Sequence, residues 1–350
     1  MMRFTEFVRR ERLYILLLVF VILISAIFTM SSRTKAKPKS AKAGLEEKKP
    51  GEDQSVKRHQ MEKLLRENKS LAIIFTLASL LIMLVLFLGL AIDVIFFARQ
   101  LSGKKIDIHT YRLGFPKWEV WDVAKVLILF LFFGYMLTMI ESFLARTFPI
   151  IKNNDFRMVF NSSILDVLAI IFIFYFAVGQ YKEKLESLGI AFKNFLNNVF
   201  YGLIGYIAIL PSLFLILILT SVVTSIFKYV PKEQIVVELF MRENNPAFLV
   251  YVSIFAAIAG PIVEELFFRG LMYGAVRKHL GIFWATIITA SLFAALHAHA
   301  VGFLPIMVLG ILLAYLYEKT GTLVSSITVH ILHNFGMILL VFLAKSVKGM

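Results

Sequence analysis

Apolar residues gather in long runs along this chain. Each run is roughly 20 residues, the length a helix needs to cross a bilayer. The first is Leu13–Met30. Further runs fall at about 71–98, 124–147, 160–181, 197–228, 247–273, 281–298, 303–318 and 323–345, roughly nine spans in all. Arg3, Arg9, Arg10 and Arg12 precede the first run, which is long and is followed by no small-x-small cleavage site. It reads as an uncleaved anchor. The pattern then changes abruptly, and Lys, Glu, Ser, Ala and Pro dominate from Ser31 to Gln60. That composition cannot bury a core and predicts a solvated linker over 31–70, turning helical from Met61 to Lys69 as it enters the next span. The run at 197–228 exceeds one crossing, so a kink at Pro211 and tilt are expected.

Composition supports the same class. Of 350 residues, 59% are apolar or aromatic and 17% are charged, with a mean hydropathy of +0.79. The fold class expected is all-α, a polytopic integral membrane bundle of about 8–9 transmembrane helices. The formal net charge of +14 fits Lys and Arg flanking spans beside anionic headgroups. No basic stripe is interleaved with stacking aromatics, so the bilayer is the expected partner and nucleic acid is not. The absence of cysteine removes disulfides, Cys-ligated zinc and thiol nucleophiles.

The basic loops bear on orientation. An inside N-terminus puts Arg99, Lys104, Lys105, Arg112 and Lys117, then Lys182, Lys184 and Lys193, then Arg277 and Lys278 on the cytoplasmic side, as the positive-inside rule asks. The same choice puts the basic 31–70 segment outside, against the rule, unless Leu13–Met30 does not cross fully. Two loops resemble each other, Leu113-Gly114-Phe115-Pro116-Lys117-Trp118 and Leu188-Gly189-Ile190-Ala191-Phe192-Lys193. Each precedes a span and two spans separate them. They read as paired surface helices on one membrane face, with Trp118 and Trp121 as interfacial anchors.

Ionisable residues inside spans need a reason. Asp93, Glu141 and Asp166 stand singly and read as interfacial or helix–helix hydrogen-bonding groups. The dense cluster is Pro261-Ile262-Val263-Glu264-Glu265-Leu266-Phe267-Phe268-Arg269-Gly270. Adjacent helical residues point about 100° apart, so the two carboxylates take different roles. Glu265 and Arg269 are i,i+4 neighbours and form an ion pair, which leaves Glu264 free as a base. Two further elements follow, Phe293-Ala294-Ala295-Leu296-His297 and His330-Ile331-Leu332-His333-Asn334, the latter with His330 and Asn334 on one helical face. This set allows hydrolysis. Glu264 and His297 could activate a water while His330 and Asn334 bind the oxyanion. Alternatively Glu264, His297 and His330 could hold a divalent metal such as zinc with one position open to water. No His-Glu-x-x-His helix, paired intramembrane Asp motif or Gly-x-Ser-x-Gly is present, and Ser325 and Ser326 read as helix-entry residues.

At these residues the chain resembles the CPBP (Abi) family of CAAX proteases and bacteriocin-processing enzymes. The family pattern is Glu-Glu-x-x-x-Arg, then Phe-x-x-x-His, then His-x-x-x-Asn. Glu264, Glu265 and Arg269 match it, as do Phe293 with His297, and His330 with Asn334. The resemblance covers about 110–345 and implies a helical fold around a polar intramembrane cavity. It implies an intramembrane endopeptidase of the type II CAAX prenyl protease kind, acting on a membrane-associated protein or peptide. By that resemblance Glu264 and His297 activate water and His330 and Asn334 stabilise the oxyanion, with Glu265, Arg269 and Phe293 in support. The organisation expected is an anchor over 1–30, the linker over 31–70, an additional span and loop over 71–109, and the core over 110–345, in the plasma membrane of a prokaryote. Two other classes compete: a non-catalytic immunity factor or scaffold of the same fold, and a proton-coupled transporter.

His297 stands near the end of its span and His330 near the start of its own. A break in the backbone around Gly302 and Pro305 is expected to bring them to one depth.

Overall fold

A computed structural model describes residues 4–35, 66, 68–104, 108, 113–144, 147–148, 153–229 and 234–348. All regular structure among them is helical. In chain order the helices are α1 (Phe4–Arg10), α2 (Arg12–Lys35), α3 (Lys69–Leu101), α4 (Val120–Leu144), α5 (Asn154–Phe174), α6 (Phe195–Ile226), α7 (Ile235–Arg242), α8 (Pro246–Ile254), α9 (Gly260–Glu265), α10 (Gly274–Leu296), α11 (Phe303–Thr320) and α12 (Leu323–Lys348). Three π-helical turns, Tyr175–Gln180, Phe255–Ala259 and Leu266–Tyr273, extend or join them.

Eight of these helical stretches are long and apolar enough to cross a membrane, so the chain is a multi-pass helical membrane protein. One of them, Pro246–Leu296, runs for 51 residues. At 1.5 Å per residue that is about 77 Å, more than twice the ~30 Å of a bilayer core. Gly281 interrupts it with φ 77° and ψ 176°, a left-handed φ that a side chain rarely adopts. The break divides the stretch into the two runs legible in the sequence, at 247–273 and 281–298.

The chain divides into two compact units. One comprises Met1–Glu47 and Lys117–Glu183. Here α2 packs on α4 and α4 on α5. Phe20 meets Phe132 edge-on with centroids 5.4 Å apart. A buried polar network ties the start of the chain to α4. Lys125 Nζ lies 3.0 Å from Glu11 Oε2 and 3.1 Å from Asp122 Oδ1. Tyr181 Oη donates to Asp122 Oδ2 at 2.5 Å. Burial pushes the Glu11 carboxyl up, but the bonds from Lys125 and Arg10 outweigh it and hold the group below the ordinary carboxylate value.

The other unit comprises Lys48–Pro116 and Lys184–Met350. In it α3 packs on α6, α6 on α11 and α12, α10 on α11, and α11 on α12. Small residues allow the close crossings. A Cβ on Gly202 of α6 would stand 2.7 Å from the Ser325 carbonyl and 2.8 Å from Thr328 Cβ of α12. α6 runs on through Pro211, whose ring is seated against Gly89 of α3.

Several expectations change. The two similar loops are not surface helices. Residues 113–116 have no regular structure, and Leu185–Leu188 is one 3-10 turn that Gly189 ends at φ 78°. Pro116 lacks the amide hydrogen and restricts its predecessor, which disfavours a helix there. Both loops instead dock one turn apart on the helix carrying the glutamates. The Leu188 carbonyl lies against Gly270, and the Pro116 ring against Gly274. Trp118 is fully buried and so does not stand at the interface as an exposed anchor. The start of the basic 31–70 segment, to Lys35, continues α2. Residues 36–65 and 67, with most of the expected Met61–Lys69 helix, lie outside the described residues.

Candidate active site

The glutamate pair sits in a helix whose hydrogen-bond register is altered on both sides. α9 is a six-residue segment between the π turns Phe255–Ala259 and Leu266–Tyr273. In the first turn the Gly260 amide donates to the Phe255 carbonyl, an i,i+5 bond. Such turns rotate the residues that follow and open nearby carbonyls, and they are frequent at functional sites. The neighbouring Ala256 carbonyl accepts from Asn334 Nδ2 at 2.9 Å. One backbone irregularity thus ties the third motif to the helix of the first.

Glu265 and Arg269 form the expected ion pair. Arg269 Nη1 donates to Glu265 Oε1 at 2.7 Å, and both side chains are 0% exposed. Arg269 Nη2 donates to the Gly310 carbonyl at 3.0 Å, which fastens the pair to α11. A buried pair of this kind adds little net stability, but each charge is held because the other is there. Its use lies in orientation. Glu265 Oε1 also accepts from His330 Nδ1 at 3.0 Å. Donation from Nδ1 fixes the ring and turns Nε2 towards Glu264, whose Oε2 lies 3.7 Å away. That gap exceeds hydrogen-bond length. Glu264 Oε2 is buried without a hydrogen-bond partner among the described residues, whereas the side chain as a whole is 40% exposed. His330 is 2% exposed. The result is a line of contacts, Arg269 to Glu265 to His330 to Glu264, with an unsatisfied carboxylate oxygen at its open end.

Phe293 organises the rest. Its ring is 4.7 Å from the Arg269 guanidinium carbon, 5.4 Å from the His330 ring and 4.8 Å from the His297 ring. Arg269 therefore lies against the negative face of an aromatic ring as well as its carboxylate partner. His297 Nδ1 donates to the Phe293 carbonyl at 2.8 Å, so this ring, like His330, presents Nε2. His297 caps α10 and is exposed. The depth problem is solved through Phe293, one turn before His297, whose side chain reaches His330 at one edge and His297 at another. The backbone leaves the helix at 297–302, and Pro305 lies in the first turn of α11.

Among the described residues no three His, Cys, Asp or Glu side chains are grouped so as to hold a metal ion. His330 Nδ1 is bonded to Glu265 and His297 Nδ1 to a carbonyl. Glu264, His297 and His330 do not form a three-donor set as placed.

Three partners of the motif residues were not legible beforehand: the carbonyls of Gly310 and Ala256, and Phe268, whose ring meets Phe293 at 5.2 Å. Backbone acceptors carry no side-chain signature. Glu11, Asp122, Lys125 and Tyr181 were missed too, being scattered over 170 residues of sequence.

Residues 246–336 match the family model described as "Type II CAAX prenyl endopeptidase Rce1-like". That segment, about a quarter of the chain, is similar to this family. It contains all seven motif positions, from Glu264 to Asn334. A Bacillus subtilis (strain 168) protein named "Putative membrane peptidase YdiL" is 32% identical over 81 residues, 23% of this chain and 33% of the relative. The match thus spans about a third of that relative's length. No solved structure matches the chain.

Proposed function

We propose that this chain is an intramembrane endopeptidase that hydrolyses peptide bonds of a membrane-associated protein or peptide, with Glu264 as the base. The carrying observation is the buried, unpartnered Glu264 Oε2, 3.7 Å from an imidazole that Glu265 and Arg269 hold in place. The Rce1-like segment and the membrane-peptidase relative support the same reading.

A water bound by Glu264, assisted by His297, attacks the scissile carbonyl carbon. Glu264 takes one proton, and the carbonyl electrons move to oxygen. Collapse of the tetrahedral oxyanion restores the carbonyl, expels the nitrogen and returns the proton to it. The products are a new carboxylate and a new amine. Asn334 spends one amide hydrogen on Ala256 and keeps a second for the oxyanion. His330 keeps Nδ1 on Glu265 and turns Nε2 towards the developing negative charge. The substrate class is CAAX-like, and the membrane is the plasma membrane of a prokaryote, as the Bacillus relative supports.

The test is cleavage of a membrane-peptide library by the purified full chain. Wild type, Glu264→Ala, His330→Gln and Asn334→Ala are compared, with and without a chelator. Cleavage lost in the three variants supports the proposal, and chelator sensitivity decides whether a metal assists. Equal or absent cleavage in all folded proteins sinks the proposal and favours a scaffold or immunity role.

A further inference from the structure

Away from the motif residues, the compact unit containing Lys117–Glu183 has an open pocket of about 230 Å³. Thr138 and Glu141 of α4 line it together with Asn154, Arg157, Met158 and Asn161 of α5. This is several times the roughly 30 Å³ share of one water. Glu141 lies one turn from the C-terminus of α4, and Arg157 lies in the first turn of α5. The pocket therefore stands where two spans leave the membrane, at headgroup depth.

Its polar groups are arranged in a specific order. Glu141 is 8% exposed, and its Oε2 accepts from Asn161 Nδ2 at 2.7 Å and Arg157 Nε at 3.2 Å. These bonds fix the Asn161 amide so that Oδ1 faces the other way. Asn161 Oδ1 is buried with no hydrogen-bond partner among the described residues. Arg157 commits Nε to Glu141, and its two terminal nitrogens remain a fork suited to phosphate. The site thus offers an acceptor lacking a donor, beside a carboxylate, and a cationic fork.

We propose that this pocket binds the zwitterionic amine–phosphate headgroup of a bilayer lipid, of the phosphoethanolamine type. The phosphate meets the Arg157 fork, and the primary ammonium donates to Asn161 Oδ1 next to Glu141. An anionic glycerol headgroup brings hydroxyl donors but no cation to set beside Glu141, whose carboxylate it then faces with net negative charge. A quaternary ammonium has no hydrogen to donate. The position at the span ends assigns the ligand to the bilayer rather than to solution.

The test uses the full chain in nanodiscs of equimolar, acyl-matched phosphatidylethanolamine, phosphatidylcholine and phosphatidylglycerol. Retained lipid is counted by native mass spectrometry. Wild type is expected to retain phosphatidylethanolamine over phosphatidylcholine roughly tenfold, the worth of one hydrogen bond from a charged donor. Asn161→Leu is expected to remove that preference. Met158→Trp narrows the pocket while leaving Glu141, Arg157 and Asn161 in place and is expected to weaken the preference too, so a fold defect in one variant does not decide the matter. Equal retention of the three lipids by wild type, or a preference that survives both folded variants, overturns the proposal. Soluble phosphoethanolamine competing as well as the lipid overturns the bilayer source.

Discussion

Replacing Arg269 by Met leaves the Glu265 carboxyl fully buried without its cationic partner, held by His330 Nδ1 and the Ser326 hydroxyl. It also strips the Gly310 carbonyl of its donor and Phe293 of the guanidinium 4.7 Å away. Both partners are 0% exposed, so solvent does not screen the loss. Breaking one side of such a pair costs about 3–5 kcal/mol. Glu265→Met should cost a similar amount, because Arg269 then stands unpaired and His330 loses its acceptor. The double variant removes both charges. What remains is the orphaned His330 Nδ1 and Gly310 carbonyl, each about 1–3 kcal/mol. The double variant should therefore fall short of the sum of the single losses by several kcal/mol. Equilibrium unfolding of the four proteins in mixed micelles measures this directly. Activity should not recover with stability, since the double variant no longer orients His330. Strict additivity, or a double variant as active as wild type, would refute the idea that this pair is held for the orientation of His330.

Other consequences follow from the same contacts. Gly202→Ala drives a Cβ into the Ser325 carbonyl at 2.7 Å, so α6 and α12 must part, and unfolding stability should drop by about 1–3 kcal/mol. Phe293→Leu removes the ring that positions Arg269, His297 and His330. Turnover is expected to fall about a hundredfold with KM little changed, as measured by steady-state cleavage. Glu11 has its carboxyl held below 4.5, so the stability it contributes is complete above the unfolded value and is lost as pH falls through the lower folded value. Amide protection factors at the α1–α2 junction should hold at pH 5 and fall below pH 4.5.

The sequence made the spans visible because lipid demands long uninterrupted apolar runs. Even the division at Gly281 was visible, since the runs at 247–273 and 281–298 were already separate. The Glu265–Arg269 pair was legible from i,i+4 spacing alone. Adjacent carboxylates do point apart along the helix, but one imidazole has two nitrogens and meets both. His330 reaches Glu265 with Nδ1 and faces Glu264 with Nε2. The π turns were not legible, because an i,i+5 register depends on tertiary packing and leaves no compositional trace. Trp118 misled because an aromatic before a span suits an interface and a core equally well, and only packing decides.

The central claim is that Glu264 activates water for peptide-bond hydrolysis. It is tested most directly by single-turnover cleavage of a membrane peptide in ¹⁸O-labelled water, with wild type and Glu264→Gln compared at saturating substrate. The account predicts one solvent oxygen in the new C-terminal carboxylate for wild type and no product from Glu264→Gln, which still binds the peptide. Labelled product formed equally fast by folded Glu264→Gln would contradict it.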